Sequence, residues 1–300
     1  MRPNRKRNRR TNTWVILGLG LLIGFLLAGP IHYNSIINDL KTQLSKGGSD
    51  EVLMGELSVA GSTTLLPITQ ECATQFMEIN SLTQISVAGG GSGHGIKSAG
   101  SGEVDIGESS RNIKESELLK YPDLVIFSIG KDSVAVVINS NNPLAGNLDL
   151  SLEQLGDIFS GKITNWSELG GASHEIEVYT REEGSGTREV FTEYVLGDRS
   201  FAPTASVKPS NGEMRASVAS NEYGIAYISL GYVDDTVSAI KVNGVEATIE
   251  NVQNGQYPIT RILWVFTKGM PSKLEAAFIE YMQGPNGQAV VEELGYIPIY

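Results

Sequence analysis

One unit recurs three times in this chain and constrains it more than any other feature: a short apolar strand, a turn of small residues, then a helix. Leu57–Ala60 runs into Gly61-Ser-Thr-Thr64. Leu65, Ile68, Cys72, Phe76 and Ile79 then recur at three- and four-residue spacing, which gives a helix with one apolar face. Cys72 lies on that face and reads as a core residue. Ser62, Thr63 and Thr64 stand where N-caps stand, and Pro67 falls in the first turn, where proline is tolerated. Gln84–Ala88 leads into Gly89-Gly-Gly-Ser-Gly-His-Gly95 and the helical start Ile96-Lys-Ser-Ala99. Glu175–Thr180 leads into Arg181-Glu-Glu-Gly-Ser-Gly-Thr187, and Arg188–Leu196 reads as the third helix.

Such turns have a chemistry. The first turn of a helix leaves backbone N–H groups unpaired, with positive partial charge. Glycines let an anion approach that backbone, and hydroxyls add donors. A single turn of this kind is ordinarily a plain cap. Three of them, with Arg181 beside the third, point to a bound anion, because a guanidinium pairs well with a tetrahedral oxyanion. Asp105-Ile-Gly-Glu-Ser-Ser-Arg111 ends a further strand with two hydroxyls and another arginine.

Other chemistries fit less well. A nucleotide loop needs Gly and Lys adjacent, and Ile96 separates Gly95 from Lys97. A nucleophile elbow needs a second glycine after the serine, and Thr187 stands there instead. His174 lies in a polar loop and is expected in solvent. His94, in the glycine turn, either lines the site or is exposed. Glu182 and Glu183 suit the helix dipole or an exposed rim better than acid–base work. The single cysteine excludes an intrachain disulfide, and the three scattered histidines argue against a metal cluster. The expectation is a binding protein without a cofactor, not an enzyme.

Charge adds two bounds. Six of the 23 basic residues crowd into residues 2–10 with no acid among them. The remainder carries 17 basic against 34 acidic residues, which makes it a poor nucleic-acid binder. After the basic run, Trp14–Ile31 holds no charge. Eighteen uncharged, mostly apolar residues behind a positive flank read as a membrane segment with its N-terminus in the cytoplasm and the body outside. Residues 1–31 are therefore expected to be an uncleaved anchor, with a cleaved signal as the alternative. Residues 32–55, with Ser45-Lys-Gly-Gly-Ser-Asp-Glu51, read as a tether, and the folded body begins near Glu56.

Seven segments in order carry a family resemblance. They are Gly61–Pro67, Gly89–Lys97, Asp105–Arg111, Ile158–Gly171, Arg181–Arg188, Gly224–Tyr232 and Ile259–Gly269. Together they closely resemble the phosphate-binding proteins of phosphate ABC transporters, over about residues 56–300. The resemblance implies an α/β, two-lobed, type II periplasmic-binding-protein fold with a ligand cleft. Lobe 1 would be 56–132 plus 229–300, and lobe 2 would be 133–228. Crossovers would lie near Lys131–Val136 and Ile225–Gly231. It implies an extracytoplasmic receptor that captures inorganic phosphate and delivers it to a membrane permease. Another tetrahedral oxyanion, or a sensing role, is the alternative. A monomer held at the membrane by its N-terminal segment is expected. The site carried over comprises Thr63 or Thr64 with Leu65, Ser92, Ser110 with Arg111, Arg181, and Ser185, Gly186 and Thr187. Long-form relatives have an aspartate where Ser110 stands. That removes an acceptor for the proton of phosphate unless Asp105 or Glu108 substitutes.

Overall fold

The computed structural model describes residues 52–300. The expected anchor, and the tether up to residue 51, lie outside the described residues. Each of the strand–turn–helix units forms. Strand β1 (Gly55–Gly61) precedes α1 (Leu66–Ile79), β2 (Thr83–Gly89) precedes α2 (Ser92–Ser101), and β3 (Ile106–Ser109) follows. β1 lies between β2 and β3, parallel to both. Ile68, Cys72 and Phe76 are buried on the inner face of α1 as the periodicity requires. Burial pushes the Cys72 thiol up to about 12, so it behaves as a packed apolar group.

The organising strand is β4 (Leu124–Asn139), which comes after the short helix α3 (Glu115–Lys120). Its first part pairs antiparallel with β11 (Thr260–Lys268), which in turn pairs with β3. Its last part pairs antiparallel with β8 (Gly224–Ser229). A nine-stranded sheet results, in the order β2-β1-β3-β11-β4-β8-β6-β7, with β9 also on β4. The second half contains β5 (Asp149–Leu150), α4 (Leu152–Phe159), β6 (Glu177–Arg181) and α5 (Gly186–Phe191). A π turn over Thr192–Leu196 extends α5. Next come β7 (Ser206–Lys208), α6 (Asn211–Ala219) and β8. Its core gathers Val134–Ile138, Phe159, Trp166, Phe191 and Tyr227. Phe191 stacks on Tyr227 at 4.1 Å between centroids.

Residues after 229 do not return at once to the first half. Strand β9 (Val237–Ala239) pairs with the end of β4, and β10 (Lys241–Val242) pairs with β5. Val237, Ile240, Val242, Val252, Tyr257 and Ile259 join the second core, with α7 (Ile249–Gln253) between them. The return to the first half falls at Ile259–Thr260, whose strand β11 runs beside Lys131–Ser133. Residues 237–259, which the resemblance assigns to lobe 1 from 229 on with a crossover near 225–231, are here paired and packed with the second half. The local reason is that 237–242 is a hydrogen-bonded edge of the second half, a pairing that its sequence does not announce. Helices α8 (Lys273–Gln283) and α9 (Pro285–Glu293) close the first half, where Phe76 meets Phe278 and Tyr281 edge-on.

One glycine contact sets the geometry of the first half. Helix α2 lies so close to β3 that an added Cβ at Gly95 would sit 2.3 Å from the Glu108 carbonyl oxygen and 2.9 Å from that of Ala60. Both neighbours are backbone and cannot swing aside. Gly95→Ala is therefore expected to destabilise the fold by about 1–3 kcal/mol through overpacking. The urea midpoint of the variant measures this, and an unchanged midpoint would refute the contact.

Candidate functional site

Four strand ends meet at one place. The loops after β1, β2, β3 and β6 all leave the C-terminal edges of their strands, the edge where open α/β sheets receive ligands. Each delivers small hydroxyl residues. Thr63, Thr64, Ser92, Ser110, Ser185 and Thr187 are all buried, and so is Arg181.

The hydroxyls of the first loop do not cap their own helix. The N-cap of α1 is Leu65, with no side-chain bond, and Ser62 Oγ accepts from the Thr64 N–H at 3.2 Å. The threonine hydroxyls face across the cleft instead. Thr63 Oγ1 accepts from Arg181 Nη1 and from Asn211 Nδ2, both at 3.3 Å. Thr64 Oγ1 accepts from Asn211 Nδ2 at 3.0 Å and from Arg261 Nη2 at 3.1 Å. It also lies 3.4 Å from Thr187 Oγ1. The Leu65 side chain is buried, and its N–H donates to the Ser62 carbonyl at 3.1 Å. Ser92 is the first residue of α2, and its Oγ accepts from the Ser110 N–H at 3.0 Å. Ser185 does cap its helix, accepting from the Arg188 N–H at 3.3 Å. An added Cβ at Gly186 would sit 2.2 Å from Ser92 Oγ and 2.8 Å from Ser110 Oγ, so this helix start lies directly against both serines.

Arg181 is held from two sides. Its N–H donates to Tyr227 Oη at 3.1 Å, which ties it to the second core. Its Nε and Nη2 pair with Glu182 at 2.9 and 2.7 Å, and Nη2 also donates to the Pro209 carbonyl. Arg111 is not brought into the cluster. Its guanidinium makes two bonds to Glu117, at 2.7 and 2.8 Å, and its Nε lies 2.9 Å from Glu189 Oε2. Lys114 reaches the same Glu189 oxygen at 2.7 Å. Three carboxylate contacts outcompete the site for this side chain. Arg188 likewise donates to backbone and stacks over Phe201, 4.5 Å from the ring centroid. His94 and His174 are exposed, and His174 stacks on Tyr223.

Neither carboxylate considered as a substitute at Ser110 takes that place. Asp105 accepts from the Ser58 N–H and hydroxyl, both at 2.7 Å, away from the cluster. Glu108 is fully buried, accepts from the Thr69 hydroxyl, and has no partner at Oε2. Burial pushes its carboxyl up to about 8, with the Thr69 bond opposing. It is therefore a neutral acid at pH 7.

Three site residues escape sequence reasoning: Asn211, Asp132 and Arg261. Arg261 donates from Nη1 to Thr187 Oγ1 at 2.9 Å and to Ser110 Oγ at 3.3 Å. Its Nε and Nη2 meet Asp132 Oδ2 at 2.8 and 2.6 Å. Burial raises the Asp132 carboxyl, and the Arg261 guanidinium pulls it back. Only Arg261 carried a signal: it heads the apolar run Ile262–Phe266, and a charge in such a strand is buried only when paired. Among the described residues, no group of acidic, histidine or cysteine side chains forms a metal site, and no helix is long and apolar enough to cross a membrane.

Comparison with known proteins gives consistent matches. Residues 41–286 match the family model described as PBP superfamily domain. The phosphate-binding protein PstS of Bacillus subtilis is 33% identical over 261 residues, covering 86% of each chain. Its counterpart in Pseudomonas aeruginosa is 28% identical over 272 residues, covering 82% of this chain and 83% of that one. Among solved structures, a putative phosphate ABC transporter substrate-binding protein from Clostridium perfringens, with bound phosphate, superposes with a TM-score of 0.78. It is 36% identical and covers 82% of this chain and all of its own. An ABC-type phosphate transport receptor from Vibrio cholerae is 32% identical with a TM-score of 0.66, covering 81% of this chain and all of its own.

Glu108 makes stability depend on pH. The folded protein keeps this proton up to about pH 8, whereas an ordinary glutamate releases it near 4.5. Between those values the folded state binds more protons, so stability from this group is full below 4.5 and is lost as pH rises through about 8. Glu108→Gln is expected to flatten that fall. Urea unfolding across the interval measures it, and an identical slope in both proteins would refute the neutral acid.

Proposed function

The chain belongs to the PBP superfamily and, within it, to the phosphate-binding proteins of phosphate ABC transporters, and on that premise we propose that these residues capture inorganic phosphate in the cleft. The protein is an extracytoplasmic receptor that delivers phosphate to a membrane permease. The observation that carries the site assignment is the convergence of six buried hydroxyls and Arg181 from four separate strand ends.

In this reading, residues 55–132 with 260–300 form one lobe and residues 133–259 form the other. They pivot where β4 and β11 run side by side. Opening separates Thr63, Thr64, Ser92 and Ser110 from Arg181, Ser185, Gly186 and Thr187. Phosphate then replaces the bonds that these groups make to each other, and closure recovers them as bonds to its oxygens. Arg181 supplies charge, and the hydroxyls supply donors in a site shut off from water, where such bonds are stronger. Binding and release complete the cycle without a covalent step. Residues 1–31 anchor the receptor, as a monomer, beside its permease, and the segment up to the first strand gives it reach.

Calorimetric titration of the full chain in mild detergent, stripped of copurified anion, tests this. Phosphate is expected to bind, and Arg181→Ala to cost about 2–5 kcal/mol of affinity, because a buried anion would lose its charged partner. An unchanged titration of the variant would sink the site assignment. Sulfate titrated in the same way separates a phosphate receptor from a general oxyanion binder.

A further inference from the structure

Arg261 occupies a position that a purely structural arginine has no need of. Its side chain is 2% exposed, and its fork is divided between one carboxylate and three hydroxyls. Nε and one Nη2 proton go to Asp132. The second Nη2 proton goes to Thr64, and the two on Nη1 go to Thr187 and Ser110. These three hydroxyls come from three loops on both sides of the cleft.

The direction of those bonds has a consequence. A hydroxyl has one proton and two lone pairs. Thr64 Oγ1 accepts from Arg261 and from Asn211, so both lone pairs are taken and its proton can only be donated. Thr187 and Ser110 each have one lone pair engaged by the same guanidinium. Arg261 thereby leaves Thr64 a donor, to Thr187 Oγ1 at 3.4 Å or to an incoming anion, and leaves the protons of Thr187 and Ser110 available for donation.

We propose that Arg261 is a second anion-binding residue of the phosphate site, supplying positive charge opposite Arg181, and that Asp132 is the positioning residue that holds it. This rests on the phosphate-binding reading and adds to it. Arg261 serves the ligand in two ways: as a charge, and as the group that holds the Thr64, Ser110 and Thr187 hydroxyls in place and occupies an acceptor site on each. Asp132 takes two of the five N–H groups and leaves the other three directed at the hydroxyls.

A test must separate this role from that of a structural ion pair. Removing Arg261 alone strands a buried carboxylate and risks the fold, so the variant of choice is the double change Asp132→Asn with Arg261→Gln. It is compared with Asp132→Asn alone and with Arg261→Lys. All are made in the full chain, stripped of anion and titrated with inorganic phosphate, with thermal unfolding recorded for each. The expected result is that Asp132→Asn, whose amide oxygen still accepts from Arg261 but carries no orienting charge, weakens phosphate binding only modestly. The double variant binds at least about 100-fold more weakly, and Arg261→Lys falls between the two, because charge is kept but the fork is lost. If Asp132→Asn and the double variant weaken binding equally, or if the double variant binds normally, the pair is structural and the proposal is overturned. If the unaltered chain does not bind phosphate, the functional reading falls and this proposal falls with it.

Discussion

The buried pair of Asp132 and Arg261 is the point on which the two halves depend. The two residues are cross-strand neighbours on β4 and β11, where the sheet passes from one half to the other. As a stability device such a pair is poor: removing one partner of a buried pair costs about 3–5 kcal/mol, yet replacing both by well-packed apolar residues is often neutral or better. The arrangement makes sense through what else the guanidinium holds. Three hydroxyls from loops far apart in sequence are tied to it, and through them the ends of β1, β3 and β6 are fixed relative to the shared strands.

A continuous strand between two half-sheets explains why the site lies where it does. β4 serves β11 along its first part and β8 along its last, so neither half has a separate edge at the junction. Loops that leave the C-terminal ends of the other strands then face each other over that junction. They touch there: the Gly93 N–H donates to the Gly184 carbonyl at 2.9 Å, and Tyr232 Oη donates to the Thr63 carbonyl at 2.7 Å. Tyr227 does the equivalent work inside the second half, pinning the Arg181 backbone while its ring is stacked in the core. Site geometry and core packing are coupled through these tyrosines.

Local pattern carries the helix and strand positions. The apolar spacing of α1 holds from Leu65 to Phe76, whereas Ile79 at its end is exposed, and the strand–turn–helix units form where periodicity puts them. Where tertiary contacts depart from local pattern, one cause is shared. Ser62, Thr63 and Thr64 resemble caps, because Ser and Thr before a helix usually are, yet Thr63 meets Arg181 and Thr64 meets Asn211 of the other half. Arg111 resembled a ligand group, and Glu117 and Glu189 claim it instead. Residues 237–259 resembled a return to the first half, and strand pairing keeps them in the second. In each case the competing partner lies beyond the segment whose pattern was read, or is one of several candidates that the pattern ranks equally.

The sequence by itself determined the secondary-structure units, their small-residue junctions, the acidic body behind a basic and apolar N-terminus, and the family likeness carried by seven ordered segments. All but the likeness follow from spacing and composition, which act over one or two turns of chain; the likeness rests on the residues of those segments. Only the tertiary structure decided which charges face the cleft. Arg261 meets Thr64 across 197 residues and Asp132 across 129. Asn211 meets Thr64 across 147. A side chain far along the chain becomes a neighbour only when strand register and packing bring it there, and no local propensity encodes that distance.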